Sequence, residues 1–110
     1  MNLPQLTLQA RSLRECFDSS ARRQKRPVWT RDQLMQGFVG DVGDLMKLVM
    51  AKENLRNAPP DGIDARLGHE LADCLWSVLV LADEYGIDLA SAFAAMVTTT
   101  SARLAPDAEH

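Results

Sequence analysis

Two pairs of carboxylates have the types and spacing to do chemistry. In FVGDVGDLMK, Asp41 and Asp44 are three residues apart, and in HELAD, Glu70 and Asp73 repeat that interval. Residues three apart share a face of an α-helix, so each pair makes a small anionic patch. Brought together beside one partly desolvated cleft, four carboxylates repel one another unless a cation neutralises them. An all-oxygen donor set suits a hard divalent ion, Mg²⁺ first and Mn²⁺ second. One such pair is ordinarily a solvated helix face. Two pairs on adjacent helices, the first interleaved with Gly40 and Gly43, are harder to ascribe to solvation. Those two glycines and two aspartates together cost a helix interior roughly 2 to 3 kcal/mol. Glycine would let a neighbouring backbone or a phosphate approach closely there.

Other chemistries fare worse. Cys16 and Cys74 lie in helical patterns as small buried hydrophobes, and no Cys-x-x-Cys or Cys/His spacing offers a zinc site. HELAD lacks the second histidine of a His-Glu-x-x-His zinc motif, and no Glu-x-x-His pair supports a di-iron bundle.

The elements that must position the carboxylates are helices, because apolar residues recur at intervals of three and four, without strict alternation over a strand's length. Four helices are predicted, over about 4–22, 30–54, 64–85 and 88–104, in a single domain spanning 1–110 with a frayed tail at 105–110. Pro4 suits a first helical position, and Leu6, Ala10, Leu13 and Phe17 form the first inward stripe. Thr30 with Gln33 reads as a capping box opening the second helix, whose inward stripe is Leu34, Phe38, Val42, Leu45 and Val49. Asp64 is the expected cap of the third, which carries Leu67, Leu71, Cys74, Leu75 and Val78 and ends at Gly86. Asp88 caps the fourth, with Leu89, Phe93, Met96, Val97 and Leu104 inward. From Cys74 to Ala82, Ser77 is the only polar residue, so the third helix is apolar nearly all round. A helix of that kind is buried on more than one side. So short a four-helix chain does not readily enclose one of its own helices, so a second subunit is expected to complete the bundle.

The chain has 110 residues, 46% hydrophobic and 25% charged, with a formal net charge of -3. That balance argues against a nucleic-acid or anionic-membrane partner. The N-terminus has no basic segment followed by an apolar run, and no stretch approaches the roughly 18 apolar residues of a membrane span. A cytoplasmic location is expected.

FVGDVGDLMKLVMAKE followed by RLGHELADCLWSVLVLADEYGIDLASAF resembles the MazG-like all-α nucleoside triphosphate pyrophosphohydrolases. Their signature is Glu-x-x-Glu on one helix and Glu-x-x-Asp on the next, with GIDL opening the last. The resemblance spans roughly residues 28 to 104. It implies a four-helix MazG-like bundle completed by dimerisation, as a homodimer or a dimer of dimers. It also implies Mg²⁺, with Mn²⁺ as a substitute, held by Asp41, Asp44, Glu70 and Asp73. The implied reaction cleaves a nucleoside triphosphate between its α and β phosphates, yielding the monophosphate and pyrophosphate, as in nucleotide-pool house-cleaning. Asp44 and Glu70 are the candidates for a general base.

Two departures bear on that implication. Both glutamates of the first motif are aspartates here, each reaching about 1 to 1.5 Å less far, whereas ligand distances tolerate errors of only about 0.2 Å. Either the helices sit closer, which Gly40 and Gly43 could permit, or the metal shifts. Where the family often presents lysine, asparagine and arginine on the last helix, this chain has Met96, Thr100 and Arg103. Only Arg103 keeps the pattern, so either the phosphates are held by other cations, such as Arg22, Arg23, Lys25 or Arg26 of a basic loop that is otherwise a solvated connector, or the substrate differs, or activity is weak. Trp29 could stack on a base or merely staple the second helix. His69 could touch phosphate or be a surface histidine, and Trp76 suits a core or subunit interface better than a base platform. Two alternatives stay open: a phosphoribosyl-ATP pyrophosphohydrolase-like enzyme, and a degenerate member that binds nucleotide or a partner without turnover.

Overall fold

Residues 1–106 are described by a computed structural model, in which the order is α1 (Leu3–Arg23), α2 (Arg31–Lys52), α3 (Ile63–Glu84) and α4 (Leu89–Leu104). Among the described residues there is no strand. The caps explain the starts. Asn2 accepts from the Gln5 backbone N–H at 2.9 Å while the Gln5 side chain accepts from Asn2, so α1 begins one residue before Pro4. Thr30 and Gln33 form the expected capping box on α2, and Asp88 accepts from the Ser91 N–H on α4. At α3 the expected cap is corrected: Gly62, at φ +102°, occupies that position without a side-chain bond. Asp64 lies inside the first turn, where it favours the helix dipole and pairs with Lys52 at 2.7 Å. Of the tail expected at 105–110, residues 107–110 lie outside the described residues.

α2 and α3 form an antiparallel hairpin. Lys52 at the end of α2 meets Asp64 at the start of α3, and Arg31 at the start of α2 meets Glu84 at the end of α3. α1 packs along the other side of α3, with the Trp76 indole N–H donating to the Ala10 carbonyl at 3.1 Å. α3 is therefore the central helix, and Ser77, Leu79 and Val80 are buried on it. Ala10 and Leu34 complete the core between the three helices. Among the described residues no helix is long and apolar enough to cross a membrane.

Much of the expected core is uncovered. α4 leans on α1 and has no buried residue: Phe93 is 61% exposed, and Met96, Val97 and Leu104 are exposed as well. On α2, Val42 and Val49 are exposed with Met35, Val39 and Met46, and on α3 Leu71 and Leu75 face outward. Leu13 and Phe17 of α1 and Cys16 are also exposed. The reason is geometric: α1 and α2 occupy two sides of α3, and α4, splayed off the end, covers neither remaining apolar face. The radius of gyration is 18.1 Å, against about 13 Å for a compact chain of this length. The accessible surface is 8333 Å² for a 12.2 kDa chain, roughly 2,200 Å² above the scaling for compact monomers.

Candidate functional site

α2 and α3 bring three of the four carboxylates together. Ligand oxygens of Asp41, Asp44 and Glu70 lie within 4.8 Å of one another. A hard divalent ion would draw these oxygens closer together, and Asp44, the exposed member, is the one most free to move. Among the described residues none of the three has an ion-pair partner, and Glu70 Oε2 is buried with no hydrogen bond at all. Burial first, then the charges of Asp73, Asp41 and Asp44, push the Glu70 carboxyl above its ordinary range. Asp41 is raised by burial first, then by Asp73 and Asp44. The neighbouring Cys74 thiol is raised by burial first, then by Asp41, Glu70 and Asp73. An orphaned, desolvated carboxylate oxygen inside an anionic cluster fits a hard cation, because a cation supplies both the missing contact and the missing charge.

Asp73 stands slightly apart. Its carboxylate lies 3.3 Å from His69 Nε2, one helical turn back, yet it remains close enough to raise Asp41 and Glu70. His69, strongly exposed, acts on both in the opposite sense.

The expectation that a neighbouring backbone approaches the glycines is corrected. A Cβ on Gly40 or Gly43 would meet nothing within 4 Å, so these two lie on open helix surface and no backbone presses against them. The shorter aspartates reach the cluster without such an approach. Gly37 is the glycine under pressure: a Cβ there would sit 2.7 Å from a ring carbon of Trp29. Trp29 folds back from the N-terminal flank of α2 and lies across that bare position.

Trp29 also walls a cavity of about 600 Å³ between α1, α2 and α3. Phe17, Trp76 and Leu34 supply further apolar wall, and Asp41 belongs both to this cavity and to the carboxylate cluster. Phe17 and Trp76 meet edge to face at 5.4 Å. Trp76 thus anchors the core and faces the cavity at once. Arg14 ties the Trp29 segment down, its Nη2 donating to the Trp29 carbonyl at 2.6 Å while its Nε sits 3.1 Å from Asp18. Arg103, in the last turn of α4, is not among the cavity's walls, whereas His69, Asp73 and Arg26 are.

Arg14, Asp18 and Gly37 escaped the sequence reading. The signal for Arg14 was its place four residues after Ala10 and three before Phe17, on the stripe expected to face inward. Compared with models of protein families, with curated proteins and with solved structures, the chain finds no match in any of the three.

Proposed function

We propose that this protein is a Mg²⁺-dependent nucleotide pyrophosphohydrolase that cleaves a nucleoside triphosphate between the α and β phosphates. The observation that carries the reading is the Asp41, Asp44 and Glu70 cluster: three clustered carboxylates without a basic partner, one with an orphaned buried oxygen, opening through Asp41 into an aromatic-walled cavity. Asp41, Asp44 and Glu70 hold the ion, with Asp73 adding negative charge beside them; Mn²⁺ suits the same donors. When bound, the ion supplies charge neutralisation for a polyphosphate and a water of lowered pKa. Asp44, the exposed member, and Glu70 are the two from which the general base is drawn, accepting the proton of an attacking water. Trp29, half-exposed over Gly37, offers a stacking surface for the base.

The active unit is a homodimer, or a dimer of dimers, of MazG-like four-helix chains in the cytoplasm. Its support is the roughly 2,200 Å² of excess surface, of the size an obligate partner buries. The exposed Val39, Met46, Phe93 and Met96 are what a second copy would cover. Sedimentation should return at least twice the 12.2 kDa chain mass, and a stable single-chain species would overturn this part.

The function is tested by assaying pyrophosphate release from a panel of nucleoside triphosphates and phosphoribosyl-ATP with Mg²⁺ or Mn²⁺. Release from a member of the panel, lost in Asp73→Asn and Glu70→Gln, is expected. The absence of release from every substrate would sink the enzyme reading. It would leave the degenerate nucleotide binder, which the paired aspartates and the uncharged Met96 and Thr100 favour.

A further inference from the structure

The cavity beside the carboxylates has two guanidinium groups in its walls, and they differ in their commitments. Arg14 is largely committed: Nη2 holds the Trp29 carbonyl at 2.6 Å and Nε sits 3.1 Å from Asp18, with Glu84 at 3.8 Å, and its one unpartnered nitrogen, Nη1, is buried. Arg26 is exposed and has no ion-pair partner among the described residues. Its position results from how α1 ends. The Arg26 N–H closes back on the Ala21 carbonyl at 2.8 Å and the Lys25 N–H on Arg22 at 3.1 Å, with Lys25 at φ +56°. This pair of bonds is the Schellman closure, whose left-handed position glycine normally fills. A lysine there holds a conformation that L-residues disfavour. The tight reversal sets Arg26 and Pro27 against the cavity, whereas Arg22, Arg23 and Lys25 are not among its walls.

We propose that Arg26 is the residue that positions the substrate's polyphosphate, meeting the negative charge that extends from the carboxylate-held cation into the cavity. The proposal rests on the reading above that the ligand is a nucleotide polyphosphate with a divalent ion. A triphosphate carries more charge than one divalent ion neutralises. A forked guanidinium is suited to phosphate oxygens, and a cation in the cavity wall can pair with those the ion leaves unneutralised.

Both tryptophans of the chain wall this cavity, so their fluorescence reports ligand entry. The test titrates tripolyphosphate and a non-hydrolysable α,β-methylene nucleoside triphosphate, with Mg²⁺, into the wild type, Arg26→Gln, Arg26→Lys and Arg22→Gln. Loss of a charge-assisted pair should weaken binding by about tenfold to a hundredfold in Arg26→Gln. KM for the hydrolysed nucleotide should rise in proportion with kcat largely retained, and the dependence of binding on salt should flatten. Arg26→Lys should recover part of the loss, Arg22→Gln should match the wild type, and Mg²⁺ affinity without nucleotide should be unchanged in all four. Wild-type affinity in Arg26→Gln, an equal loss in Arg22→Gln, or no polyphosphate binding by the wild type would each overturn the proposal. Arg26-dependent binding without pyrophosphate release would sustain it while removing the hydrolase reading.

Discussion

The C-terminus of α3 and the stretch around Glu70 carry carboxylates in opposite circumstances. Near its C-terminus, Asp83 receives Arg11 through two bonds, of 3.0 and 2.6 Å, and Glu84 has Arg31 at 3.4 Å and Arg14 at 3.8 Å. The paired arginine holds the Asp83 carboxyl below its usual range. Toward the N-terminal half, Glu70 stands with Asp41 and Asp44, receives no arginine, and is pushed the other way by burial and repulsion. The residue types and the helix are the same. Three arginines from α1 and α2 converge on the C-terminus of α3, where the carboxylates tie the helices together, and among the described residues none pairs with the cluster around Glu70. An unpaired, partly desolvated cluster lowers stability, and under the proposed function a cation taken up from solution would offset that cost.

The sharpest break of that comparison is functional. Glu70→Gln should reduce pyrophosphate release by at least about a hundredfold while leaving the helical circular-dichroism spectrum intact, and Asp83→Asn should leave turnover within about threefold wherever the protein stays folded. Comparable losses in both would erase the distinction between the two regions. Next in size is the response to metal. Mg²⁺ at a hundred times its dissociation constant should stabilise the wild type by about 2.7 kcal/mol, read as a higher thermal midpoint. Asp83→Asn should keep that increment and Glu70→Gln should lose it.

Without metal the ranking of the same two variants inverts. Asp83→Asn should destabilise by about 1 to 2 kcal/mol in urea unfolding, because it weakens a charge-assisted bidentate pair. Glu70→Gln should be neutral or stabilising, since it removes a repelled charge. The pH profile carries the same opposition. Asp41 and Glu70 bind protons more readily folded than unfolded, so their contribution to stability declines as pH rises from their ordinary values of 3.8 and 4.5 through their raised ones. Asp83 and Asp88, lowered by Arg11 and by Ser91, contribute stability above the ordinary 3.8 that is lost as pH falls through their lowered values. Metal-free protein should therefore lose stability on both sides of the acidic range, and saturating Mg²⁺ should abolish the decline on the upper side. An unchanged upper side with Mg²⁺ would show that the cluster and the ion are not coupled. The smallest effect is expected at the exposed Lys52–Asp64 pair, where Lys52→Ala should cost less than about 0.5 kcal/mol.

The helices were legible because helix formation is local. The Thr30 and Gln33 box and the Asp88 cap are interactions within four residues, visible as spacing in the chain. Carboxylate clustering was half legible. Spacing places Asp41 with Asp44 on one face, but only the antiparallel packing of α2 on α3 decides that Glu70 joins them while Asp73 turns to His69. The glycines show the limit most clearly. Glycine in a helix announces that something is unusual, yet Gly40 and Gly43 face open space and Gly37 takes the tryptophan.

By itself, then, the sequence determined four helices, most of their ends, an anionic face on two of them, and more apolar surface than one chain of this length covers. Tertiary structure decided which carboxylates converge, that Arg14 of α1 and Arg26 of the reversal after it line a cavity beside them, and which apolar faces stay bare. The division has a physical cause. Backbone hydrogen bonds and caps close within about four residues, so their signals survive in a linear string. A site is assembled across loops, where one arginine more or less beside a carboxylate depends on how helices distant in the chain happen to pack.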